Sequence, residues 1–328
     1  MYFLKLVRYP NLIIIAVTMV LMRYCIIQPI LSTYRLDLEF PFISFSGLIL
    51  AVILIAAAGY LINDYFDLQI DTVNHPDKVI IGKHIKAAKA LNIYYVMNIC
   101  ALVISFFISY KVNNISLFIV FPITIGLLWF YSTIYKRQLL TGNILISLIV
   151  SFVPILVALF DISTVAKNNH EYLIAYKIKF DVIFIWIGAF ALFAFLVNLV
   201  REIIKDTEDF KGDSLNGRNT LPVAAGLTVT KAIIINLTVI ILLLLGFIFY
   251  KYLRFSYNYD ASGMITNITF DVVTFLYFLI LVFIPFFIFI YYVIIAKEKK
   301  QYTVASKILK LVMITGILFA IVVRMKIC

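Results

Sequence analysis

Two short acidic stretches of this chain carry the residue types best suited to chemistry. Residues 63–71 read NDYFDLQID, and residues 206–213 read DTEDFKGD. Each stretch follows a long apolar run. The acids in both are separated by three and then four residues: Asp64, Asp67 and Asp71 in the first, and Asp206, Asp209 and Asp213 in the second. The repeated spacing indicates an internal repeat of an apolar helix, an acidic end and a loop.

Acids three and four residues apart lie on one face of a helix. If the preceding apolar helix continues for about two turns, each triplet forms one stripe of carboxylates. Burying such a stripe near a bilayer is costly unless its charge is neutralised. Mg²⁺ does this through one or two carboxylates, and it completes its shell with water and phosphate oxygens. Two facing stripes therefore predict a site in which Mg²⁺ bridges the six acids and a diphosphate.

A single acidic triplet is explained equally well as a solvated helix end at the membrane surface. Two triplets of equal spacing favour a site instead. Nine of the 17 Asp and Glu residues lie in just two loops, at about 63–89 and 201–221. Neither stretch has the D-x-[DN]-x-[DN]-G spacing of a calcium-binding loop.

Basic residues accompany the acids and suit a diphosphate. Lys78, Lys83, Lys205 and Arg218 lie in the same two loops, and the sequence YSTIYKR places Lys136 and Arg137 shortly after Tyr131. Lysine and arginine side chains bind phosphate oxygens, arginine through a bidentate fork. For Lys83 and Arg218, a role as ordinary basic anchors at the membrane surface is an equal alternative.

The elements that position these residues must be membrane helices. The chain has 328 residues, of which 64% are hydrophobic and 14% charged, and its mean hydropathy is +1.05. A soluble domain has about 25% charged residues, and a bilayer-spanning helix needs about 20 apolar residues. Nine segments qualify: about 11–32, 43–62, 91–110, 115–131, 143–160, 182–200, 232–250, 271–295 and 308–323. We expect an all-α, polytopic membrane protein, with the helices around a central cavity and residues 1–328 in a single domain.

The net charge of +11 does not indicate nucleic-acid binding, because the basic residues are sorted by loop and are not clustered in one patch. With a cytoplasmic N-terminus, 16 Lys and Arg residues face the cytoplasm and 9 face the other side. This bias predicts that both acidic loops are cytoplasmic. We expect the protein in the cell membrane.

The pattern N-D-x-x-D-x-x-x-D at residues 63–71 resembles the first motif of the UbiA superfamily of intramembrane prenyltransferases. The D-x-x-x-D of Asp209 and Asp213 resembles its second motif, and nine spans fit the same family. The resemblance implies a prenyl diphosphate donor bound through Mg²⁺ by both motifs, with Asn63, Asp67, Asp71, Asp209 and Asp213 as metal ligands. It also implies that Tyr131 and Lys136 lie near the diphosphate and the allylic carbocation formed from the donor.

Within this family, residues 201–213 and 63–78 look closest to geranylgeranylglyceryl-phosphate geranylgeranyltransferases, which form an ether bond to a lipid alcohol. One departure concerns the D-R-P-I-P-S-G that usually follows the first motif, which is DKVIIGK here. Four lysines between residues 78 and 89 are available for an acceptor phosphate. We therefore favour a prenylglyceryl phosphate as the acceptor over an aromatic acid such as 4-hydroxybenzoate.

Two other classes of protein compete with the enzyme interpretation. An ion-coupled transporter also uses intramembrane acids, but it places them near the middle of spans, whereas these triplets lie at span ends. A structural membrane protein needs no repeated acidic triplet.

Overall fold

The computed structural model of the chain describes residues 2–74, 79–259 and 265–327. Within these ranges, nine helices are long and apolar enough to cross a membrane. In chain order they are α1 (Tyr9–Thr33), α2 (Phe42–Phe66), α3 (Ala87–Lys111), α4 (Ile115–Arg137), α5 (Thr141–Asn168), α6 (Asp181–Glu208), α7 (Leu221–Leu253), α8 (Val272–Ile295) and α9 (Lys299–Ile327). The predicted all-α fold with nine spans is confirmed.

The spans are longer than their apolar cores indicate. α7 begins about ten residues before the expected position, and α9 also begins well before residue 308. α6 continues through the polar residues up to Glu208, whereas the apolar segment was expected to end at about residue 200. The reason is that helical backbone hydrogen bonds do not stop where the side chains become polar. This extension carries charged residues of α6 and α9 into the polar end of the structure.

Several spans are locally irregular. α1 contains a π-helical turn at Met22–Ile27, and α8 contains one at Leu279–Phe283. In α7, Gly226 has a φ of 81°, a conformation that favours glycine because it has no Cβ. Backbone groups released by such breaks within a membrane must be satisfied by neighbouring helices or side chains.

Shorter elements connect the spans within the described ranges. Four short helices precede α1 or follow a span: Tyr2–Leu6, Leu68–Asn74, His170–Ala175 and Phe210–Leu215. An antiparallel hairpin joins α7 to α8, with strands β1 (Phe255–Tyr259) and β2 (Ile265–Phe270). The hydropathy pattern did not predict this hairpin.

The spans pack around a central space. The most extensive helix contacts join α2 to α3, α5 to α6, and α6 to α9, and α8 packs on α9. The largest buried cluster includes Met22, Phe45, Phe121 and Phe160 from four different spans. The short helices that follow α2 and α6, Leu68–Asn74 and Phe210–Leu215, contact each other and bring the two acidic ends together.

Candidate active site at the polar end of the cavity

The two acidic ends share one backbone arrangement. We call residues 63–71 the first acidic end and residues 206–213 the second. In each, the spanning helix stops one residue before the middle acid, and that acid, Asp67 or Asp209, has φ and ψ of −88° and 2° or −96° and 4°. A short helix follows immediately, Leu68–Asn74 or Phe210–Leu215. The repeat seen in the sequence therefore extends to the backbone, although each acidic stripe bends at its middle residue.

Both acidic ends line a single cavity of about 750 Å³. Its polar end includes the predicted residues Asn63, Asp64, Asp67, Asp71, Tyr131, Lys136, Lys205, Asp206, Asp209 and Asp213. Its deeper part is lined by apolar side chains of the spans, among them Met22, Val52, Phe121 and Phe190. The shape and lining suit an amphipathic ligand with an anionic head and a hydrocarbon tail.

Asp67 is bound by two cations and links to the second acidic end. Its side chain is buried, with 3% of the residue exposed, and both Lys136 and Arg218 donate to its carboxylate. Lys136 also donates to Oδ1 of Asn63 at 2.9 Å. Arg218 Nη1 lies 3.5 Å from Oδ1 of Asp213. Arg218 thus contacts one acid from each end and holds the two ends together.

The same arginine leaves the two carboxylates in different electrostatic states. Burial alone would raise the pKa of Asp67, but Lys136 and Arg218 lower it below its ordinary value. Burial also raises the pKa of Asp213, here to about 6, because the opposing effect of Arg218 is weaker and Asp209 adds a like charge. At Asp213, the positive charge of Arg218 therefore does not offset the rise in pKa that burial and Asp209 cause.

The other acids confirm this asymmetry between the ends. In the first end, Asp64 accepts a hydrogen bond from Arg8 at 2.8 Å. In the second end, the equivalent Asp206 accepts from the neutral amide of Asn143 at 2.8 Å. Asp209 lies 3.5 Å from Lys299, whose side chain is 41% exposed. Asp206 thus has a neutral partner where Asp64 has a charged one.

A short turn at the end of α4 positions Lys136. Residues Tyr135–Arg137 form a 3₁₀ turn that lies against the start of α5. A Cβ on Gly142 would lie 2.7 Å from the Tyr135 carbonyl oxygen, so a glycine is needed for this close approach. On the other side, the Asn219 N–H donates to the Arg137 carbonyl at 3.0 Å. The turn is therefore held next to the loop that carries Arg218.

A second group of cations lines the mouth of the cavity beside α6. Lys205 lies 2.5 Å from Glu202, and Arg201 lies 3.4 Å from the same carboxylate. Arg8 and Lys307 line the same region. Lys205 thus has its closest carboxylate contact with Glu202 and not with the acidic ends.

Four expected basic positions lie elsewhere. Arg137 is exposed, and it is not among the described residues that line the cavity. Lys83, Lys86 and Lys89 are also exposed and are likewise not part of this lining. Lys78 falls outside the described residues.

The donor set fits a hard divalent cation. The six acids and Asn63 offer only oxygen ligands, which Mg²⁺ prefers, and Asp213 is a buried carboxylate with incomplete compensation of its charge. Among the described residues, no three His, Cys, Asp or Glu side chains converge as a closed cluster. A fit to Mg²⁺ therefore requires one or two carboxylates per ion, with phosphate oxygens and water as the other ligands.

Several residues of the site were not predicted as such. Arg8, Asn143, Arg201 and Glu202 all contact an acid or a cation at the polar end. Asn143 and Asp206 are 63 positions apart in the chain, and Arg8 and Asp64 are 56 apart. Only the packing of distant spans makes these pairs, so no local pattern indicates them.

Comparison with known proteins agrees with this geometry. The model of the UbiA prenyltransferase family matches residues 33–314. A digeranylgeranylglyceryl phosphate synthase of Methanosarcina mazei is 32% identical over 227 residues, which are 68% of this chain and 71% of that protein. A structure reported for digeranylgeranylglyceryl phosphate synthase aligns over 99% of this chain and 98% of its own, with a TM-score of 0.59 and 23% identity. A UbiA homologue from Archaeoglobus fulgidus, bound to GPP and Mg²⁺, aligns over 98% of this chain and all of its own, with a TM-score of 0.57 and 13% identity.

The fold is that of an intramembrane prenyltransferase, and in the described part of the chain polar groups lie at one end of a cavity between nine spans. The chain belongs to the UbiA prenyltransferase family. It is an integral, multi-pass membrane protein. The resemblance noted from the two acidic motifs is confirmed.

Proposed function

We propose that the protein transfers a polyprenyl group from a prenyl diphosphate to the hydroxyl of a prenylglyceryl phosphate, with Mg²⁺ as its cofactor. The observation that carries the proposal is the contact of Arg218 with both Asp67 and Asp213 at the polar end of a cavity with an apolar interior. This arrangement brings both acidic ends to one anionic group, while the spans accommodate a hydrocarbon chain.

The donor diphosphate binds between the acidic ends. Asn63, Asp64, Asp67 and Asp71 on one side and Asp206, Asp209 and Asp213 on the other would hold Mg²⁺. When bound, Mg²⁺ supplies positive charge that stabilises the diphosphate as a leaving group. Lys136 and Arg218, which contact Asp67 in the donor-free protein, are within reach of phosphate oxygens at the same place. Lys78 and Arg137 remain predictions as further diphosphate contacts.

The chain's own residues then protect and direct the reacting carbon. The C1–O bond of the donor breaks with its electron pair on the diphosphate oxygen and leaves an allylic cation. Tyr131 lines the cavity beside the acids, where its ring face favours a nearby cation. The apolar walls exclude water from this cation. The acceptor hydroxyl oxygen attacks C1, and its proton passes to the released diphosphate.

The choice of acceptor has independent support. The Methanosarcina mazei relative is named for a digeranylgeranylglyceryl phosphate product, and such a product contains an ether between a prenyl group and a glyceryl phosphate. A phosphate-bearing acceptor also needs cations beyond those at the diphosphate, and the mouth of the cavity has them in Arg201, Lys205 and Lys307. An aromatic acid instead needs one cation for its carboxylate and a flat pocket for its ring.

The test offers one labelled prenyl diphosphate to the purified protein with each acceptor in turn. Products are identified by mass, in Mg²⁺ and in excess EDTA. We expect an ether product with the prenylglyceryl phosphate, no turnover in EDTA, and recovery on addition of Mg²⁺. A product formed with 4-hydroxybenzoate alone would overturn the acceptor assignment. Full turnover in EDTA would overturn the role of Mg²⁺.

We also propose that the acidic ends face the cytoplasm and that residues 1–328 act as one domain in the cell membrane. The excess of basic residues on the side of the acidic ends supports this orientation. Single cysteines at Ser214 and Asn168, in a background without the native cysteines, are separated by α6. A membrane-impermeant thiol reagent added to intact cells is expected to label the cysteine at 168 and to spare that at 214. The reverse pattern would invert the orientation.

A further inference from the structure

Five cationic side chains line the cavity and are distinct from the pair on Asp67. They come from the N-terminal segment, α6 and α9, and we call them the basic face: Lys5, Arg8, Arg201, Lys205 and Lys307. Arg8 and Arg201 are both within electrostatic range of Lys205. These three cations therefore form one cluster, although they lie up to 197 positions apart in the chain.

The packing of α6 against α9 sets the depth of this cluster. The two spans are antiparallel neighbours, and Thr303 of α9 donates to Glu208 of α6 at 2.9 Å. One turn further along α9, Lys307 comes level with Lys205, and Lys310 then comes within electrostatic range of Arg201. Arg201 and Lys307 therefore both lie about 10 Å inside the ends of their helices.

The charge of the basic face is not balanced within the described part of the chain. Among the described residues, Arg8 pairs with Asp64, and Arg201 and Lys205 share Glu202, so three of the five cations share two acids. In addition, the buried Nε of Arg201 has no hydrogen-bond partner among the described residues. A phosphate monoester carries a charge of about −1.5 to −2 and three acceptor oxygens. Such a group matches both the excess charge and the free donor.

We infer that the basic face binds the phosphate of the acceptor, and that Lys307 and Arg201 are its principal contacts. The inference rests on the proposed function and adds the place at which its acceptor is recognised. The donor diphosphate belongs to the six acids, which require metal ions. The Arg8–Asp64 pair joins the basic face to the first acidic end. The acceptor hydroxyl, a few bonds from its phosphate, is then held beside C1 of the donor.

The position differs from the one expected from the sequence. Four lysines between residues 78 and 89 were the expected source of cations for an acceptor phosphate. Lys86 and Lys89 are exposed and lie outside the lining of the cavity in the described structure. The cations that do line it come from three segments whose sequences show no shared motif.

The test compares Lys307→Gln with Lys86→Gln, which removes an equally exposed lysine outside the cavity. Steady-state kinetics in a neutral detergent give KM separately for the donor and for the phosphorylated acceptor. We expect Lys307→Gln to raise the acceptor KM about tenfold, to leave the donor KM within twofold of wild type, and to be largely rescued in Lys307→Arg. Lys86→Gln is expected to leave both constants unchanged.

An acceptor analogue without the phosphate completes the test. Wild type should bind it more weakly than the phosphorylated acceptor, and this difference in affinity should shrink about tenfold in Lys307→Gln, because the lost contact is one to phosphate. An unchanged acceptor KM in Lys307→Gln, or a rise in the donor KM instead, would overturn the inference while the proposed function stands. Absence of product from wild type with the phosphorylated acceptor would overturn both.

Discussion

The two acidic ends have the same spacing and the same backbone, but they differ in what neutralises them. In the first end, Arg8 binds Asp64, and Lys136 and Arg218 bind Asp67. In the second, a neutral amide binds Asp206, Asp209 lies near the exposed Lys299, and Asp213 has Arg218 at 3.5 Å. A repeated sequence motif therefore gives a repeated backbone without giving repeated electrostatics, because the charge partners come from other parts of the chain.

Because of this difference, we expect the two ends to contribute to ligand binding in different ways. The first end is ordered by its cations before any ligand binds. The second end has the raised pKa of Asp213, which burial causes and which an added positive charge would reverse. We therefore expect the second end to gain more from Mg²⁺ and the first end to set the geometry. The predictions below compare the two ends.

The largest effect is expected from Asp67→Asn. The change removes a charge from a residue that is 3% exposed and leaves Lys136 and Arg218 without their shared carboxylate. We expect turnover to fall by at least about 100-fold, by analogy with the loss of one preorganised catalytic contact, and the melting temperature in detergent to fall as well. Asp209→Asn, whose partner is exposed, should retain more activity and melt as wild type. Equal losses of turnover in Asp67→Asn and Asp209→Asn would contradict the difference between the two ends.

A second comparison removes one cation from each end. Lys136→Met takes away the contacts to Asn63 and Asp67, whereas Lys299→Met takes away a partner at 3.5 Å that is 41% exposed. Exposed ion pairs contribute about 0–1 kcal/mol, so we expect Lys299→Met to change turnover less than about fivefold. Lys136→Met should lower turnover by about 30-fold or more. Initial rates at saturating donor measure both, and similar rates for the two variants would refute the difference.

A smaller loss is expected from Gly142→Ala, which tests how Lys136 is positioned. The added methyl group meets backbone atoms of Tyr135 and Lys136 at 2.7–3.0 Å, so the turn must shift. We expect about a tenfold loss of kcat with little change in the KM of the acceptor. Gly188→Ala is the matched control, because a Cβ there has no neighbour within 4 Å. Wild-type kcat in Gly142→Ala would show that Lys136 does not depend on this contact.

The smallest effect on activity is expected at Asp271, a paired acid outside the site. Its carboxylate caps α8 by accepting from the Thr274 N–H at 2.9 Å, and it binds Lys326. Asp271→Ala should lower the stability of the protein by about 1 kcal/mol at neutral pH and leave turnover unchanged. If Asp271→Ala lost turnover without losing stability, an ion-paired acid outside the cavity would also be needed for catalysis, and this would contradict the assignment of catalysis to the acids of the site.

The pH dependence of that stability follows from the state of the carboxyl. Burial alone would raise the pKa of Asp271, but its hydrogen bonds to Lys326 and Thr274 lower it below the ordinary value. A lowered pKa stabilises the fold above the ordinary pKa of aspartate, and this contribution is lost as pH falls through the lowered value. Melting temperatures of wild type and Asp271→Ala should therefore converge in acid.

The sequence predicted the parts of this structure that depend on local pattern. The nine spans follow from runs of about 20 apolar residues, and the acidic ends follow from spacing. The bend at Asp67 and Asp209 was not predicted, because the same spacing fits a straight helix. The roles of Arg8, Asn143 and Gly142 were not predicted either, since each depends on a contact with a distant span or a neighbouring turn.

Arg218 shows most clearly where prediction from sequence stops. In the sequence it is one of several basic residues in a loop, and an anchoring role at the membrane surface explains it equally well. In the structure it is buried, lies 151 positions from Asp67 and contacts that acid as well as Asp213. Its role depends on the packing that brings the ends of α2 and α6 together. The charge pattern of one loop does not predict this packing.

The central claim is that the two acidic ends act as one site for a metal-bound diphosphate. Equilibrium binding of a labelled prenyl diphosphate in Mg²⁺ tests it directly in four proteins: wild type, Asp67→Asn, Asp213→Asn and the double variant. If the ends act as one unit, each single change removes most of the Mg²⁺-dependent affinity, and the double variant binds about as weakly as either single variant. Independent losses that add in the double variant, or unchanged binding in either single variant, would contradict the claim.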